Sequence, residues 1–472
     1  MNEFAQMIIT ELMSSMAEAV AACVLAALGI GAYYVHYKRK YKGERKFPWL
    51  RVLLILALVG YLVIVDYATL NRLSGISAGG VNFHLFRGWK EAWNSCSIKS
   101  WLNLLLNVAL FLPLGVLLPL IWKPLRKWYW MIAAGFGVSL FFELSQYLTG
   151  RGILDVDDLF ANTLGAMIGF CAVMAVLSAF GEKGKRLQRC IAYFLPAMIP
   201  VCAIGGIFLA YSLQEYGNLP DAPIFRANTR NVEFSLDCTL PVLTDTAPVY
   251  RTQTLTKEEC DRFGMEFEDL VQADFHEILY YDKETCFIDR GLGGNGAHFL
   301  WVSWLDGSYD YTHVQTGYDE PEVRWSSASR EQLELMLTAY PVMIPQQAEF
   351  TDEGDGWHSF QAYQLADGAL MLDGTLRCRF GSGNIWIVDN HIVSYAFYRD
   401  EPVRSPEDAL TLLKQGWFSD ADTFNYYAPE EVSILACELT YRIDTKGFYQ
   451  PVYLFTLAAE NYSARVMIPA RT

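Results

Sequence analysis

The stretch Trp101–Gly169, WLNLLLNVALFLPLGVLLPLIWKPLRKWYWMIAAGFGVSLFFELSQYLTGRGILDVDDLFANTLGAMIG, decides the architecture of this chain. It holds three apolar runs, each near the ~20 residues a helix needs to cross a bilayer core, joined by connections of only a few residues. The polar residues inside the runs recur at helical spacing. Asn103-x3-Asn107 sits on one helix face and Glu143-x2-Gln146 on another. Phe111-x-Pro113-Leu-Gly115 places a proline where it should kink a helix in mid-bilayer. Arg151, Asp155, Asp157 and Asp158 crowd into the connection before the third run, which continues through Asn162-Thr163-Leu-Gly165 to Gly169.

Working outward, three further runs of spanning length appear, so that six are expected: Ala17–Tyr37, Pro48–Asp66, Trp101–Trp122, Trp128–Leu148, Leu159–Phe180 and Cys190–Leu213. Tyr33, Tyr34, Trp49, Trp101, Trp122, Trp128 and Trp130 stand near their ends, where an aromatic belt belongs. The loops 38–46, 123–127 and 181–189 carry 13 Lys and Arg, against five in the intervening loops. The positive-inside rule makes the first set cytoplasmic and both termini extracytoplasmic. Glu3 and Glu11, with no basic residue before Lys38, argue against a cleaved signal peptide.

Charge divides the chain in the same place. Residues 1–212 hold 19 basic and 11 acidic residues, and 213–472 hold 18 and 41. A basic, apolar half therefore joins an acidic, soluble one, and an excess of acid repels phosphate backbones, so a nucleic-acid partner is not expected. The expected divisions are 1–47, an extra span and basic loop; 48–180, a helical bundle; 181–213, a basic loop and last span; and 214–472, an extracytoplasmic α+β domain. Capping signals at Thr256-Lys-Glu-Glu259, Ser329-Arg-Glu-Gln332 and Ser405-Pro-Glu-Asp408 predict three helices in that domain. Aromatic and β-branched runs at 275–282, 298–304, 385–398 and 448–457 predict strands, with turns at Asp389-Asn390 and Thr445-Lys-Gly447.

Cys96, Cys238, Cys260, Cys286, Cys378 and Cys437 would lie outside the cytoplasm, where a pair or two could be oxidised, but spacing fixes no connectivity. No CxxC or CxxH spacing supports zinc, and neither a metal nor a cofactor is expected. Gly291–Gly296 lacks the Gly-Lys-Ser/Thr of a phosphate loop, and His276-Glu277 lacks the second histidine of a zincin helix.

The strongest functional signal is depth. In the assigned orientation Glu143 lies ~10 Å below the outer end of its helix, and Asn107 and Asn162 fall in the same leaflet. Each amide alone reads as interhelical hydrogen-bond glue among small residues such as Gly165 and Gly169. The set reads otherwise, because an acid, several amides and an Arg/Asp cluster at one level exceed what a bundle needs, and intramembrane ionisable groups are functional candidates. Asn107, Glu143, Gln146, Arg151, Asp155, Asp157, Asp158 and Asn162 are therefore the expected ligand-binding residues of an outer vestibule. Glu143 and Asp158 are the candidates for acid/base catalysis, should the protein be an enzyme. The surplus of negative charge suits a cationic group, a divalent ion or a shared proton.

These same residues, with Thr69-Leu70-x-Arg72 and Asn82-Phe83-x-Leu85-Phe86 in the first outer loop, resemble the VanZ-like family, named for a bacterial teicoplanin-resistance protein. The resemblance spans roughly residues 55–175. It implies an integral membrane protein of the bacterial envelope and, in some members, reduced glycopeptide susceptibility; it implies no settled activity. Ser405-Pro-Glu-Asp-Ala-Leu, Gln450-Pro-Val-Tyr-x-Phe455 and Ile468-Pro-Ala470 resemble the closing segment of extracytoplasmic regulatory domains of the YycI or PepSY type, which bind partner proteins. The expectation is an α-helical polytopic membrane bundle with an extracytoplasmic α+β domain, engaging a membrane lipid or lipid-linked cell-wall precursor. The alternatives are an enzyme acting on a lipid-linked precursor, or a regulatory partner or sensor of another membrane protein.

Overall fold

The computed structural model describes residues 20–21, 24–40, 47–70, 81–180, 185–291, 296–315, 323–367 and 369–472. They form two compact units, one ending at Gln214 and the other comprising Trp93–Ser97 with Glu215–Thr472.

Up to Gln214 the described chain contains α1 (Trp49–Leu70), β1 (Val81–Asn82), α2 (Arg87–Ser95), α3 (Ile98–Ile121), α4 (Trp128–Leu148), β2 (Leu154–Asp155), α5 (Val156–Ala179) and α6 (Arg186–Leu213). Among the described residues five helices, α1 and α3–α6, are long and apolar enough to cross a membrane. Five of the six expected runs are thus helices, and the first, Ala17–Tyr37, lies partly outside the described residues; 24–40 are helical. The last helix begins at Arg186, a turn before the expected Cys190, because long basic side chains can ride on a helix end with their charge in water. Both α3 and α6 run on through internal prolines, Pro113 and Pro119 in one and Pro196 and Pro200 in the other.

Small residues bring α3 and α5 together. A Cβ on Gly165 would sit 2.0 Å from the Val108 carbonyl oxygen, one on Gly169 2.1 Å from that of Leu112, and one on Gly115 1.9 Å from that of Ala166. The two backbones touch there, which is how helices associate in lipid, where apolar side chains gain nothing by leaving the solvent. Phe111, Leu114, Met131, Phe142 and Phe170 fill the space around the crossing. Trp128, Phe141, Leu148 and Phe180 point outward, as lipid-facing residues do.

The second unit runs β3 (Glu233–Leu236), β4 (Thr246–Arg251), α7 (Lys257–Val271), β5 (Glu277–Tyr280), β6 (Glu284–Asp289), β7 (Ala297–Ser303), β8 (Tyr309–Val314), α8 (Arg330–Leu337), β9 (Glu349–Gly354), β10 (Trp357–Asp367), β11 (Leu370–Gly381), β12 (Asn384–Asn390), β13 (Val393–Pro402), α9 (Pro406–Lys414), α10 (Ala421–Tyr427), β14 (Glu431–Ile443), β15 (Phe448–Ala459) and β16 (Tyr462–Pro469). The strands form one sheet in the order β3-β14-β15-β4-β13-β11-β12-β8-β7-β6-β5, with β16 on β15 and β10 and β9 continuing from β11. The pairs are antiparallel except β3 with β14. Helices pack on it through apolar clusters. One gathers Leu413 of α9, Phe424 of α10 and Phe418 between them onto Phe455 and Leu457, and another gathers Phe267 and Leu333 from α7 and α8 onto Leu300 and Val302.

The three expected helix starts are N-caps: Thr256 forms a reciprocal capping box with Glu259, Ser329 accepts from Gln332 N–H, and Ser405 accepts from Asp408 N–H. The expected turn at Asp389-Asn390 is not formed. Both belong to the β12 ladder, opposite Arg377 and Leu376 on β11, and past His391-Ile392 the chain keeps its direction, Val393–Ala396 of β13 pairing on along β11 opposite Asp373–Leu370. A glycine lets the two backbones close up at the join: a Cβ on Gly374 would lie 1.8 Å from the His391 carbonyl oxygen. The turn at 445–447 stands where expected. Buried Asp444 fixes it by accepting from the N–H groups of Lys446 and Phe448 at 2.8 and 3.0 Å, and from Gly217 N–H at 2.7 Å.

Candidate functional site

The site is built where α4 hands over to α5. Gly150, at φ +66°, lets the chain turn back after α4. The two residues of β2 then pair in parallel with β1, Val81 opposite Leu154 and Asn82 opposite Asp155. Asp155 has extended backbone and caps α5 by accepting from Asp157 N–H at 2.8 Å. Its carboxylate also takes the Asn82 amide, whose Nδ2 is 3.1 Å from both oxygens. Asp155 N–H in turn donates to Glu143 Oε2 at 3.2 Å. One aspartate thereby links the loop after α1, α4 and α5.

The two acids that follow have different partners. Asp157, buried, accepts from Gly88 N–H at 2.7 Å and from Phe86 N–H, holding the 84–88 turn against the helix. Asp158 accepts from the Asn107 side-chain amide on α3. One turn deeper, Asn162 Nδ2 donates to Ser139 Oγ at 3.0 Å. Ser139 lies four residues before Glu143 and Asn162 four after Asp158, so α4 and α5 each present a two-step polar face to the other. The Oδ1 of Asn162 and the Oγ1 of Thr163 are buried with no protein partner.

The hydrogen bonds these four carboxylates accept come from neutral amides, Asn82, Asn107 and backbone N–H groups. Three of the acids stand at the N-terminus of α5, whose dipole and unpaired N–H groups favour negative charge. A carboxylate offers about four lone-pair sites, so each has acceptor capacity beyond these bonds. The arrangement can receive a cation or a donor-rich polar group.

The structure thus brings together Asn107, Glu143, Asp155, Asp157 and Asp158, with Asn162 one turn below. Gln146 turns toward α1, its Nε2 donating to the Thr69 carbonyl at 2.8 Å. Arg151 lies on the exposed turn after α4. Sequence reading used Asn82 only within a family resemblance and passed over Ser139. The helical spacing of Ser139 from Glu143 was the signal available for the second; for the first, nothing local announces a two-residue strand pair.

Against known proteins, residues 48–178 match the sequence model of the VanZ/LLP1 family. No curated protein matches the chain. Among solved structures, the C-terminal domain of YpeB from Bacillus megaterium is similar at 11% identity, covering 47% of this chain and 95% of that one, with a TM-score of 0.17. The family match takes in α1, α3, α4, nearly all of α5 and every residue of the site, and leaves out α6 and residues 215–472.

Proposed function

We propose, on the premise that residues 48–178 are a VanZ-like membrane region, that this protein works in the membrane of a bacterial envelope. There the polar site around Glu143 and Asp158 engages the head group of a membrane lipid or lipid-linked cell-wall precursor, and by doing so contributes to glycopeptide resistance. The observation that carries this reading is the convergence of four carboxylates and two asparagines at one end of apolar helices. Acids held at such depth are expensive and mark ligand or ion sites. Asp155 and Asp157 are engaged by several of the chain's own amides and build the site; Glu143 and Asp158, each taking one such bond, address the ligand.

The excess of Lys and Arg in loops 38–46, 123–127 and 181–189 supports an orientation with this end of the bundle and the acidic second unit outside the cytoplasm. The second unit then senses or recruits a partner at the envelope. The test is lipidomics of the full chain purified in mild detergent. The wild type should enrich one lipid-linked class over bulk membrane, and the Glu143→Gln, Asp158→Asn double variant should lose it; equal lipid profiles would overturn the proposal.

A further inference from the structure

The second unit carries two cysteines along one parallel strand pair, Cys437 on β14 and Cys238 two residues past the end of β3. Leu236 of β3 lies opposite Ile434 of β14, and Asp237 N–H donates to the Ile434 carbonyl at 3.0 Å, so the pairing runs on past the end of β3. On its other edge β14 shifts register between Ile434 and Ala436. That shift accommodates one extra residue, and it brings Cys437, three residues beyond Ile434, level with Cys238, two beyond Leu236. Side-chain direction agrees. Phe234 and Cys238 on one strand, and Cys437 and Leu439 on the other, all pack against the same apolar core of Phe455 and Leu457. Adjacent strands are about 4.8 Å apart, within the Cα separations a disulfide spans. Both are free thiols in this structure. Burial, with the neighbouring Cys238 thiol next in effect, pushes the Cys437 thiol up to about 12, which places the two sulfurs within electrostatic reach.

We propose that Cys238 and Cys437 are joined as a disulfide in the mature protein, locking the first strand after the membrane anchor onto the strand β14 some 200 residues later. The inference rests on the extracytoplasmic placement of this unit, since such bonds persist only in an oxidising compartment. The oxidant is an oxidised dithiol oxidoreductase. One cysteine thiolate attacks its disulfide and expels one of its sulfurs; the second thiolate then displaces the other. The protein gains one S–S bond, and the donor leaves as a dithiol with the two electrons and two protons. Burial raises both thiols, so exchange is slow once the strands have closed, and the bond forms during folding and then persists.

The experiment quenches cells with N-ethylmaleimide, purifies the full chain from membranes and maps peptides without reduction. A linked peptide pair containing Cys238 and Cys437 is expected, with a gel-mobility shift on reduction that Cys238→Ser or Cys437→Ser abolishes. Alkylation of both cysteines in the cellular sample overturns the proposal. Oxidised glutathione added to reduced, purified protein then identifies the fault: if the link forms there, the compartment was wrong, and if it does not, the pairing was.

Discussion

Asn82 and Asp155 face each other in a parallel ladder only two residues long, and the asparagine amide spans both oxygens of the aspartate that caps the helix of Val156–Ala179. A residue in the loop after the helix of Trp49–Leu70 thus holds the cap of a membrane helix 73 positions later. Because Asp155 also presents its N–H to Glu143, the cap and the candidate ligand acid are one assembly.

Asp155→Ala removes the cap and the Asn82 bond together, and should cost more than Asn82→Ala. Loss of a cap is worth about 0.5–2 kcal/mol and a single neutral-to-charged bond about 1.5–3 kcal/mol. The Asp155→Asn variant keeps a side-chain oxygen that can cap the helix and should recover most of the stability. Thermal unfolding of the detergent-solubilised chain, arranged as a double-mutant cycle with Asn82→Ala, measures this. Strict additivity of the two alanine changes would show that the pair does not interact.

The helix crossing should reject a methyl group where it is closed and accept one where it is open. Gly165→Ala and Gly169→Ala push a Cβ onto backbone oxygens at 2.0 and 2.1 Å, which backbone cannot yield without separating the helices. A loss of at least about 1–3 kcal/mol is expected for each. Gly137, on the next helix, has nothing within 4 Å of an added Cβ, and Gly137→Ala should keep wild-type protein level or exceed it, since alanine favours a helix by about 1 kcal/mol. Membrane-fraction abundance at fixed expression separates the two outcomes.

Much of this architecture was legible because lipid and water impose simple patterns. The apolar runs Trp128–Leu148 and Pro48–Asp66, and the caps at Thr256, Ser329 and Ser405, depend on neighbours within one or two turns and stand where the chain says. The level shared by Asn107, Glu143 and Asp158 was legible for the same reason, because helical rise converts sequence distance into depth. What pairs with what was not. Asn82 with Asp155 and Leu236 with Ile434 are long-range registers that no local propensity encodes. The unformed turn at Asp389-Asn390 has the same cause: turn-forming residues were drafted into a ladder by β8 and β11.

Acidity should stabilise the ladder of β8 and β12 in the second unit. Burial, and then the charge of Asp310, push the Asp389 carboxyl up to about 6. A carboxyl that binds its proton more tightly when folded stabilises below its unfolded value, about 3.9, and loses that contribution as pH rises through about 6. His391, raised mainly by its hydrogen bond to Asp310 at 2.7 Å, behaves alike at higher pH: its contribution is complete below about 6.5 and fades above. The slope for one proton is at most about 1.4 kcal/mol per pH unit, reduced by solvent at these partly exposed groups. Asp389→Asn should flatten the profile between pH 4 and 6 and raise the unfolding temperature at pH 7.5, read by near-ultraviolet circular dichroism of the full chain; an unchanged profile would remove Asp389 from the account.

The sharpest test separates ligand acids from architecture. Glu143→Gln and Asp158→Asn keep shape and hydrogen-bonding atoms but remove charge. The Asp155 N–H can still reach the amide oxygen of a glutamine, and Asn107 that of an asparagine, so the bundle should assemble as before. Exchanging a costly intramembrane charge for a neutral group can even add stability. If the two acids bind a ligand, the double variant should therefore reach wild-type abundance and lose the envelope phenotype. Asn107→Ala and Asn162→Ala supply the contrast. Each deletes an interhelical bond worth roughly 0.6–2 kcal/mol, and should lower protein amount while leaving activity per molecule much closer to wild type. The measurement is glycopeptide susceptibility, or whichever envelope phenotype the deletion strain shows, divided by protein in the membrane. Wild-type activity per molecule in the Glu143→Gln, Asp158→Asn chain would leave the two carboxylates as hydrogen-bond acceptors for Asp155 N–H and Asn107 and nothing more.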